Sequence, residues 1–435
     1  MTGRAPAPVV PVAARGLASW RRSLVVAFFA TGLGMATWVS RTPAIRDAIG
    51  ASTGEMGLVI AGLSVGSVIG IAAGGRLVAR RGARFVVAWA MASIVLGLLG
   101  VALGVVVQQG VVVAAGLAGF GYGMGSGEIG LNVEGIELEI AVGRSVVPSL
   151  HGCYSLGIFA GGLAGLAANR VHLPVLAHLV AVAVLTAAGS GWLVSRLPPL
   201  TGASPAGTAP ATGTASATGT APATGTDGRA WLDRRLLMLG AIILGMALAE
   251  GSANDWLPLI VVDGFGRSAA LGSIIYAFFG LSMAIGRLSG GAVIDRFGRA
   301  AVMRVSAVTA AAGIALVSLA PNLWLAAVGT LLWGLGASLG FPVALSAAGD
   351  DPVYAAKRAA AVATAGYAAF LAGPPILGFL AEEVGLRNAI LVVLVAVLAT
   401  TLFSGAVRKV PPAGPPAGRR QPRPTTTPTT TTQVQ

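Results

Sequence analysis

The stretch Gly74–Arg84, GGRLVARRGAR, has a counterpart 216 residues further along the chain at Gly290–Arg299, GGAVIDRFGR. Each copy ends a long apolar segment with two glycines and then adds several basic residues. A basic segment of this kind is costly in hydrocarbon, so each copy marks a point where one membrane helix reaches the aqueous surface and the next begins. The repetition indicates an internally duplicated membrane protein.

The composition agrees with this interpretation. Of the 435 residues, 55% are hydrophobic and only 10% are charged, and the mean hydropathy is +0.81. A soluble globule of this composition would have too few polar groups to face water. The net charge of +13 is scattered over short loops, so we expect no nucleic-acid partner. Cys153 is the single cysteine, which excludes an internal disulfide framework.

The apolar runs predict an all-α membrane protein with twelve transmembrane helices, because about 20 helical residues span the hydrocarbon core. The first six runs are near residues 23–41, 55–78, 84–107, 111–136, 148–169 and 173–195. The second six are near 236–260, 269–294, 299–320, 323–347, 357–381 and 388–407. The predicted units are a tail at 1–22, a bundle at 23–198, a linker at 199–230, a bundle at 231–410 and a tail at 411–435.

The repeat extends beyond the two basic loops. Three glycines of the fourth helix recur 215 residues later in the tenth: Gly119, Gly121 and Gly125 correspond to Gly334, Gly336 and Gly340. The two six-helix halves are therefore parallel repeats, an arrangement in which transporters place a site near the midplane and rock the halves around it. The linker and the second tail are rich in Ala, Thr, Gly and Pro, which predicts flexible segments.

The distribution of basic residues predicts the orientation. If both termini are cytoplasmic, the outer segments hold only five of the 29 lysine and arginine residues, namely Arg41, Arg46, Arg170, Arg267 and Arg387. This excess of basic residues inside follows the positive-inside rule. We expect a multi-pass protein of the cell membrane, and nothing in the sequence demands more than a monomer.

The loop after the eighth helix resembles the signature loop of the major facilitator superfamily, which has Gly, then Asp-Arg, then Gly-Arg. The resemblance implies the major facilitator fold and assigns a gating role to both loops. The residues concerned are Arg80, Arg81, Gly82, Arg84, Asp295, Arg296, Gly298 and Arg299. Ala79 replaces the usual acid of the first loop, which leaves Asp295 alone to latch the cytoplasmic side.

A narrower resemblance, to the fucose permease branch, rests on two segments. The first is Gly127–Gly135, GEIGLNVEG, and the second is Pro148–Gly157, PSLHGCYSLG. The resemblance implies symport of a sugar or sugar derivative coupled to protons or sodium. Glu128 stands where that branch usually has an aspartate.

Three carboxylates are candidates for proton coupling: Glu128, Glu134 and Glu250. Glu128 and Asn132 share a helix face with Gly121 and Gly125, and an ionised carboxylate at mid-membrane must face water, find a partner or be protonated. Two roles fit Glu128: it is either a coupling acid or a structural acid whose hydrogen-bonding capacity is satisfied by neighbouring helices. Glu134 lies near the inner end of its helix, where a solvated acid is the simplest interpretation.

The candidates for substrate binding are polar or aromatic side chains of four predicted helices: Trp38, Arg41, Asn132, His151, Tyr154, Asn254 and Trp256. The polar run Glu250–Pro258 suggests a broken helix that lines a cavity. Arg41 is a candidate partner of Glu250 or Asp255 in an outer gate. Two interpretations of Arg287 are open. It binds an anionic group, or, as we favour, its side chain snorkels to the cytoplasmic interface.

The sequence has no Walker lysine, zinc-ligand spacing or nucleophilic triad, so we expect neither an enzyme nor a cofactor or metal. The favoured hypothesis is a proton-coupled symporter of a small polar solute. A proton-coupled antiporter that exports drugs or metabolites is the alternative. A third possibility is a receptor on the same scaffold that binds a ligand without transporting it.

Overall fold

The computed structural model describes residues 14–203, 233–350 and 355–408, and twelve helices there are long and apolar enough to cross a membrane. In the first half they are α1 (Ala14–Val39), α2 (Thr53–Arg81), α3 (Ala83–Val106), α4 (Gly110–Val142), α5 (Val147–Arg170) and α6 (Val175–Val194). In the second they are α7 (Arg234–Leu259), α8 (Ala269–Phe297), α9 (Arg299–Leu319), α10 (Leu323–Ala337, then Gly340–Ala348), α11 (Ala355–Val384) and α12 (Leu391–Phe403). The predicted all-α fold with two six-helix halves is confirmed.

Glycine determines how closely the helices of the first half approach. A Cβ atom on Gly66 of α2 would lie 1.9 Å from the carbonyl oxygen of Ala118, and one on Gly121 of α4 would lie 2.0 Å from that of Leu63. Neither position has room for a side chain, so α2 and α4 pack backbone against backbone, as small residues allow in membrane helices. This contact fixes the direction of the α4 face that carries Glu128.

The two ends of the molecule differ in charge. We call the end with the two signature loops the basic end, because Arg80, Arg81 and Arg296 are exposed there. The opposite end holds the short helix Thr42–Ile49 between α1 and α2, and the connection between α7 and α8.

The first helix begins at Ala14, earlier than the sequence predicts. Arg21 and Arg22 lie within α1 and are exposed, whereas Trp20 and Leu24 are buried. The arginines therefore occupy the outer face of a helix that already packs on the protein, and hydropathy alone cannot detect such a turn. The remainder of the predicted tail at 1–22 lies outside the described residues.

The predicted break in α7 is wrong. The helix runs through Glu250–Pro258 without interruption and ends in a π-helical turn, Ile260–Gly264. The break occurs in α10 instead, between Ala337 and Gly340. Pro342 cannot donate a hydrogen bond to the carbonyl group four residues earlier, which favours an interruption there.

The beginning of the predicted linker is an ordered part of the first half. The amide of Ala83 donates to the carbonyl oxygen of Thr201 at 2.8 Å, and Leu200 lies so close to Gly82 that a Cβ there would approach its Cα to 2.8 Å. Gly82 has a φ of 81°, which favours glycine. Residues up to 203 thus cover the first signature loop, and the rest of the linker and the tail at 411–435 lie outside the described residues.

Candidate functional site

Three side chains of the first half form a hydrogen-bonded chain at mid-membrane. Asn132 donates from Nδ2 to Glu128 Oε1 at 3.0 Å, and His151 Nε2 lies 3.1 Å from Asn132 Oδ1. Glu128 and Asn132 are one helical turn apart on α4, and His151 approaches from α5. The ring of Phe28 on α1 packs edge-on against the imidazole at 5.1 Å between centroids. One carboxylate is thus linked through an amide to a titratable ring.

The second half contributes an ion pair at the same depth. Arg287 on α8 donates to Glu250 Oε1 on α7 at 2.8 Å, and the two side chains are only 13% and 14% exposed. Its other terminal nitrogen donates to Ser155 Oγ on α5 at 3.0 Å. The prediction that Arg287 snorkels to the interface is therefore wrong, because a carboxylate on the neighbouring helix neutralises its charge within the membrane.

The helix α5 joins the two groups. His151 and Ser155 are one turn apart and share a face, with His151 turned to the first-half carboxylate and Ser155 bonded to the second-half arginine. Tyr154 lies between these two residues in the sequence of α5. We call the set Glu128, Asn132, His151, Tyr154, Ser155, Glu250 and Arg287 the central polar network.

The central polar network lies between the two halves and is accessible. Glu128 is exposed although it lies in the middle of a membrane helix. Tyr367 of α11 packs against an apolar cluster of the first half that includes Ile129, the neighbour of Glu128 in sequence. The exposed carboxylate of Glu128 therefore lies on the part of the first half that α11 approaches.

Glu134 is separate from this network. It is completely buried near the basic end, and its Oε2 atom accepts a hydrogen bond from the indole Nε1 of Trp20 at 2.8 Å. This bond ties the start of α1 to α4. We interpret Glu134 as a structural acid, since it is fully buried and bonded to Trp20.

Four of the predicted substrate-binding residues lie away from the network, toward the opposite end. Trp38 and Trp256 are 0% exposed, and neither indole N–H has a hydrogen-bond partner among the described residues. Asn254 accepts a hydrogen bond from the hydroxyl of Tyr276 at 2.9 Å. Arg41 contacts neither Glu250 nor Asp255 and donates instead to Asn169 Oδ1 and the carbonyl oxygen of Leu173.

Polar contacts close the opposite end across the two halves. Arg46 of the short connecting helix pairs with Asp263 after α7. The carboxylate of Glu382 on α11 accepts hydrogen bonds from the hydroxyl of Ser52 and, at 2.9 Å, from the amide of Gly54. Glu382 thus places a negative charge on the N-terminus of α2, where the helix dipole favours it.

A second set of contacts at the same end joins α8 to α1 and α5. Ser273 of α8 is fully buried and donates to the carbonyl oxygen of Ser40 at 3.2 Å. Asn169 of α5 donates to Ser273 Oγ at 2.9 Å. We call the contacts of Arg46, Glu382 and Ser273 the outer closure.

The signature loops make no hydrogen bond between the halves in the described part of the chain. Gly82 and Gly298 both have positive φ and form the tight junctions between consecutive helices. Asp295 is exposed and has no polar partner among the described residues, whereas Arg299 donates to Asp350 Oδ1 of its own half at 2.7 Å. Among the described residues, polar contacts therefore join the two halves at the opposite end and not at the signature loops.

The ion pair of Glu250 and Arg287 should dominate the stability of the second half. Removal of one partner of a buried pair leaves an unpaired charge, which typically costs about 3–5 kcal/mol. We expect Arg287→Gln to lower the thermal unfolding temperature in detergent, and Glu250→Gln/Arg287→Gln to recover most of the loss. Arg76→Gln, at an exposed position of the basic end, should have no effect. A double variant as unstable as Arg287→Gln would contradict this assignment.

The family model of the Major Facilitator Superfamily matches residues 149–353 and 239–433. An uncharacterized MFS-type transporter of Yersinia pestis is 30% identical over 363 residues, which are 82% of this chain and 88% of that protein. A variant of the nucleoside transporter NupG superposes with a TM-score of 0.69 at 15% identity, over 89% of this chain and 99% of that one. A variant of the fucose:proton symporter FucP of E. coli superposes with a TM-score of 0.59 at 14% identity, over 90% of this chain and 98% of that one.

Two six-helix halves around a polar cleft define a membrane transporter that carries solutes. The matches to the family model and to the Yersinia pestis protein place the chain more narrowly. It belongs to the major facilitator superfamily, and it is a transporter rather than an enzyme.

Proposed function

We propose that the protein is a proton-coupled symporter of a small polar solute, such as a sugar or sugar derivative, and works by alternating access. The observation that carries the proposal is the central polar network, in which carboxylates of both halves meet at α5. Its amide, imidazole, hydroxyl and guanidinium groups suit a hydroxyl-rich solute that needs several hydrogen bonds. Structural neighbours include proteins described as fucose and D-xylose proton symporters, which supports this solute class.

The two carboxylates of the network have different roles in this proposal. Glu250 forms an ion pair with Arg287 at 2.8 Å, and loss of its charge would leave the arginine without a partner. Glu128 has an uncharged amide as its hydrogen-bond partner and faces the cleft. Gain or loss of a proton therefore disturbs fewer contacts at Glu128, which we assign as the coupling acid.

We further propose that the basic end is cytoplasmic, which makes the present state inward-facing. The excess of basic residues at that end supports this orientation. A solute that binds from outside would first require the outer closure to open, and its release would use the cleft at the basic end.

The test is the internal pH of proteoliposomes during the addition of sugars, polyols, nucleosides and acids, one at a time, with and without sodium. Acidification on addition of a solute is the expected result and identifies that solute. Alkalinisation would instead support the alternative, a proton-coupled antiporter that exports drugs or metabolites. Uptake that depends on sodium and leaves the pH unchanged would overturn proton coupling.

A further inference from the structure

Asp255 is a buried carboxylate of a membrane helix that has no polar partner among the described residues. It is 6% exposed, and no hydrogen bond or ion pair to it occurs among the described residues. By contrast, Glu128, Glu134, Glu250 and Glu382 each accept a hydrogen bond from a side chain. An ionised carboxylate in such a place has lost most of its hydration, and no described hydrogen bond replaces it.

The helical position of Asp255 places it between two other helices of the second half. It shares a face with Gly251, where a Cβ would contact Phe370 of α11 at 2.9 Å, and with Pro258, which packs on Gly272 of α8. Asp255 thus lies between α8 and α11. Helix α7 also contacts α1 and the short helix Thr42–Ile49 of the first half.

The charged groups around Asp255 have other partners. On α8 the titratable neighbour is Tyr276, whose hydroxyl donates to Asn254. On α11 two carboxylates lie toward this end: Glu382, which is bonded to Ser52 and Gly54, and the exposed Glu383. On the first half, Arg41 is bonded to Asn169 and Leu173, and Arg46 to Asp47 and Asp263. Helix α12 and the second part of α10 contribute no charge.

We propose that Asp255 is a proton-binding residue that permits the outer closure only in its neutral form. When the outer end opens, the carboxylate regains water and ionises. When the end closes, Asp255 must take up a proton, because no described hydrogen bond or ion pair replaces the lost water. This inference rests on the proposed proton coupling, but it assigns to Asp255 a step separate from that of Glu128, since it governs closure at the opposite end.

The test follows the opening of the outer end directly and needs no solute. In a Cys153→Ala background, Ser273→Cys reports opening, because Ser273 is fully buried between the halves. Gln109→Cys, at an exposed position of the same end, corrects for the effect of pH on thiol reactivity. Labelling by a membrane-impermeant maleimide is measured as the ratio of the two rates across a series of pH values.

We expect the labelling ratio to fall as the pH is lowered, by at most about tenfold per pH unit for one proton. In Asp255→Asn, which imitates the neutral acid, the ratio should be low and independent of pH. The matched control Glu383→Gln, at an exposed acid of the same end, should keep the slope of the parent protein. A slope that persists in Asp255→Asn, a slope lost in Glu383→Gln, or a flat ratio in the parent would each overturn the proposal.

Two further measurements keep the result interpretable. The thermal unfolding temperature of Asp255→Asn should equal or exceed that of the parent, since the amide removes no partner; a large decrease would contradict the environment assigned to Asp255. Failure of every compound in the transport panel would not affect the labelling readout. The proposed symport and the role of Asp255 can therefore fail separately.

Discussion

The variant Glu128→Gln should fail to accumulate solute against a gradient and yet still exchange it across the membrane. Glutamine can accept the hydrogen bond from Asn132 Nδ2, so the contact with the amide survives. It cannot bind a proton at this position, so the pH gradient no longer does work on the solute. With one proton per solute, the parent protein can reach about tenfold accumulation per pH unit, because a factor of ten corresponds to about 1.4 kcal/mol.

The measurement is solute uptake into proteoliposomes with an imposed pH gradient, followed by counterflow without one. Glu137→Gln is the matched control, since it lies on the same helix but outside the central polar network. We expect that control to accumulate solute normally. Accumulation by Glu128→Gln at the level of the parent would exclude Glu128 as the coupling acid.

The variant Gly57→Leu should lose net transport because the outer end can no longer close. A Cβ on Gly57 of α2 would lie 2.7 Å from the carbonyl oxygen of Pro374 and 3.2 Å from the Cα of Gly378, both on α11. These are backbone atoms that cannot move aside in the way a side chain can. Any side chain at this position therefore separates the two halves at the end where Glu382 and Ser52 meet.

Labelling of Ser273→Cys distinguishes this block from general misfolding. We expect Gly57→Leu to increase the labelling ratio to that of an exposed thiol and to reduce uptake to the background of empty vesicles. Gly75→Leu is the control, because a Cβ on Gly75 of the same helix meets no atom within 4 Å. Normal uptake by Gly57→Leu would contradict the closure described for α2 and α11.

The fold could be predicted from the sequence because its signals are local. Hydropathy identifies each helix, and the repeated basic loops identify the duplication. The cluster of Glu128, Asn132 and His151 could also be predicted in part, since the first two are one turn apart on α4. Ser155 carried a comparable signal, one turn beyond His151 on α5, but a single serine in a membrane helix is too common to select.

The remaining features depend on contacts between distant parts of the chain. Glu250 and Arg287 are on different helices, so their spacing contains no information about the ion pair. Trp38 and Trp256 have the residue types of a sugar-binding surface, but in this state they pack within the outer closure. Which surface an aromatic residue meets depends on the conformation of the carrier, which no local pattern encodes.

The asymmetry between the two ends has a consequence for the kinetics of the cycle. The outer end is held by an ion pair, by a carboxylate on a helix N-terminus and by the contacts of Ser273, whereas Ala79 leaves the basic end without one of its two usual acids. The empty carrier should therefore rest inward-facing, and its return to the outside should limit turnover. Solute preloaded inside the vesicles should then accelerate uptake of labelled solute from outside, and equal rates from empty and preloaded vesicles would show that another step is slow.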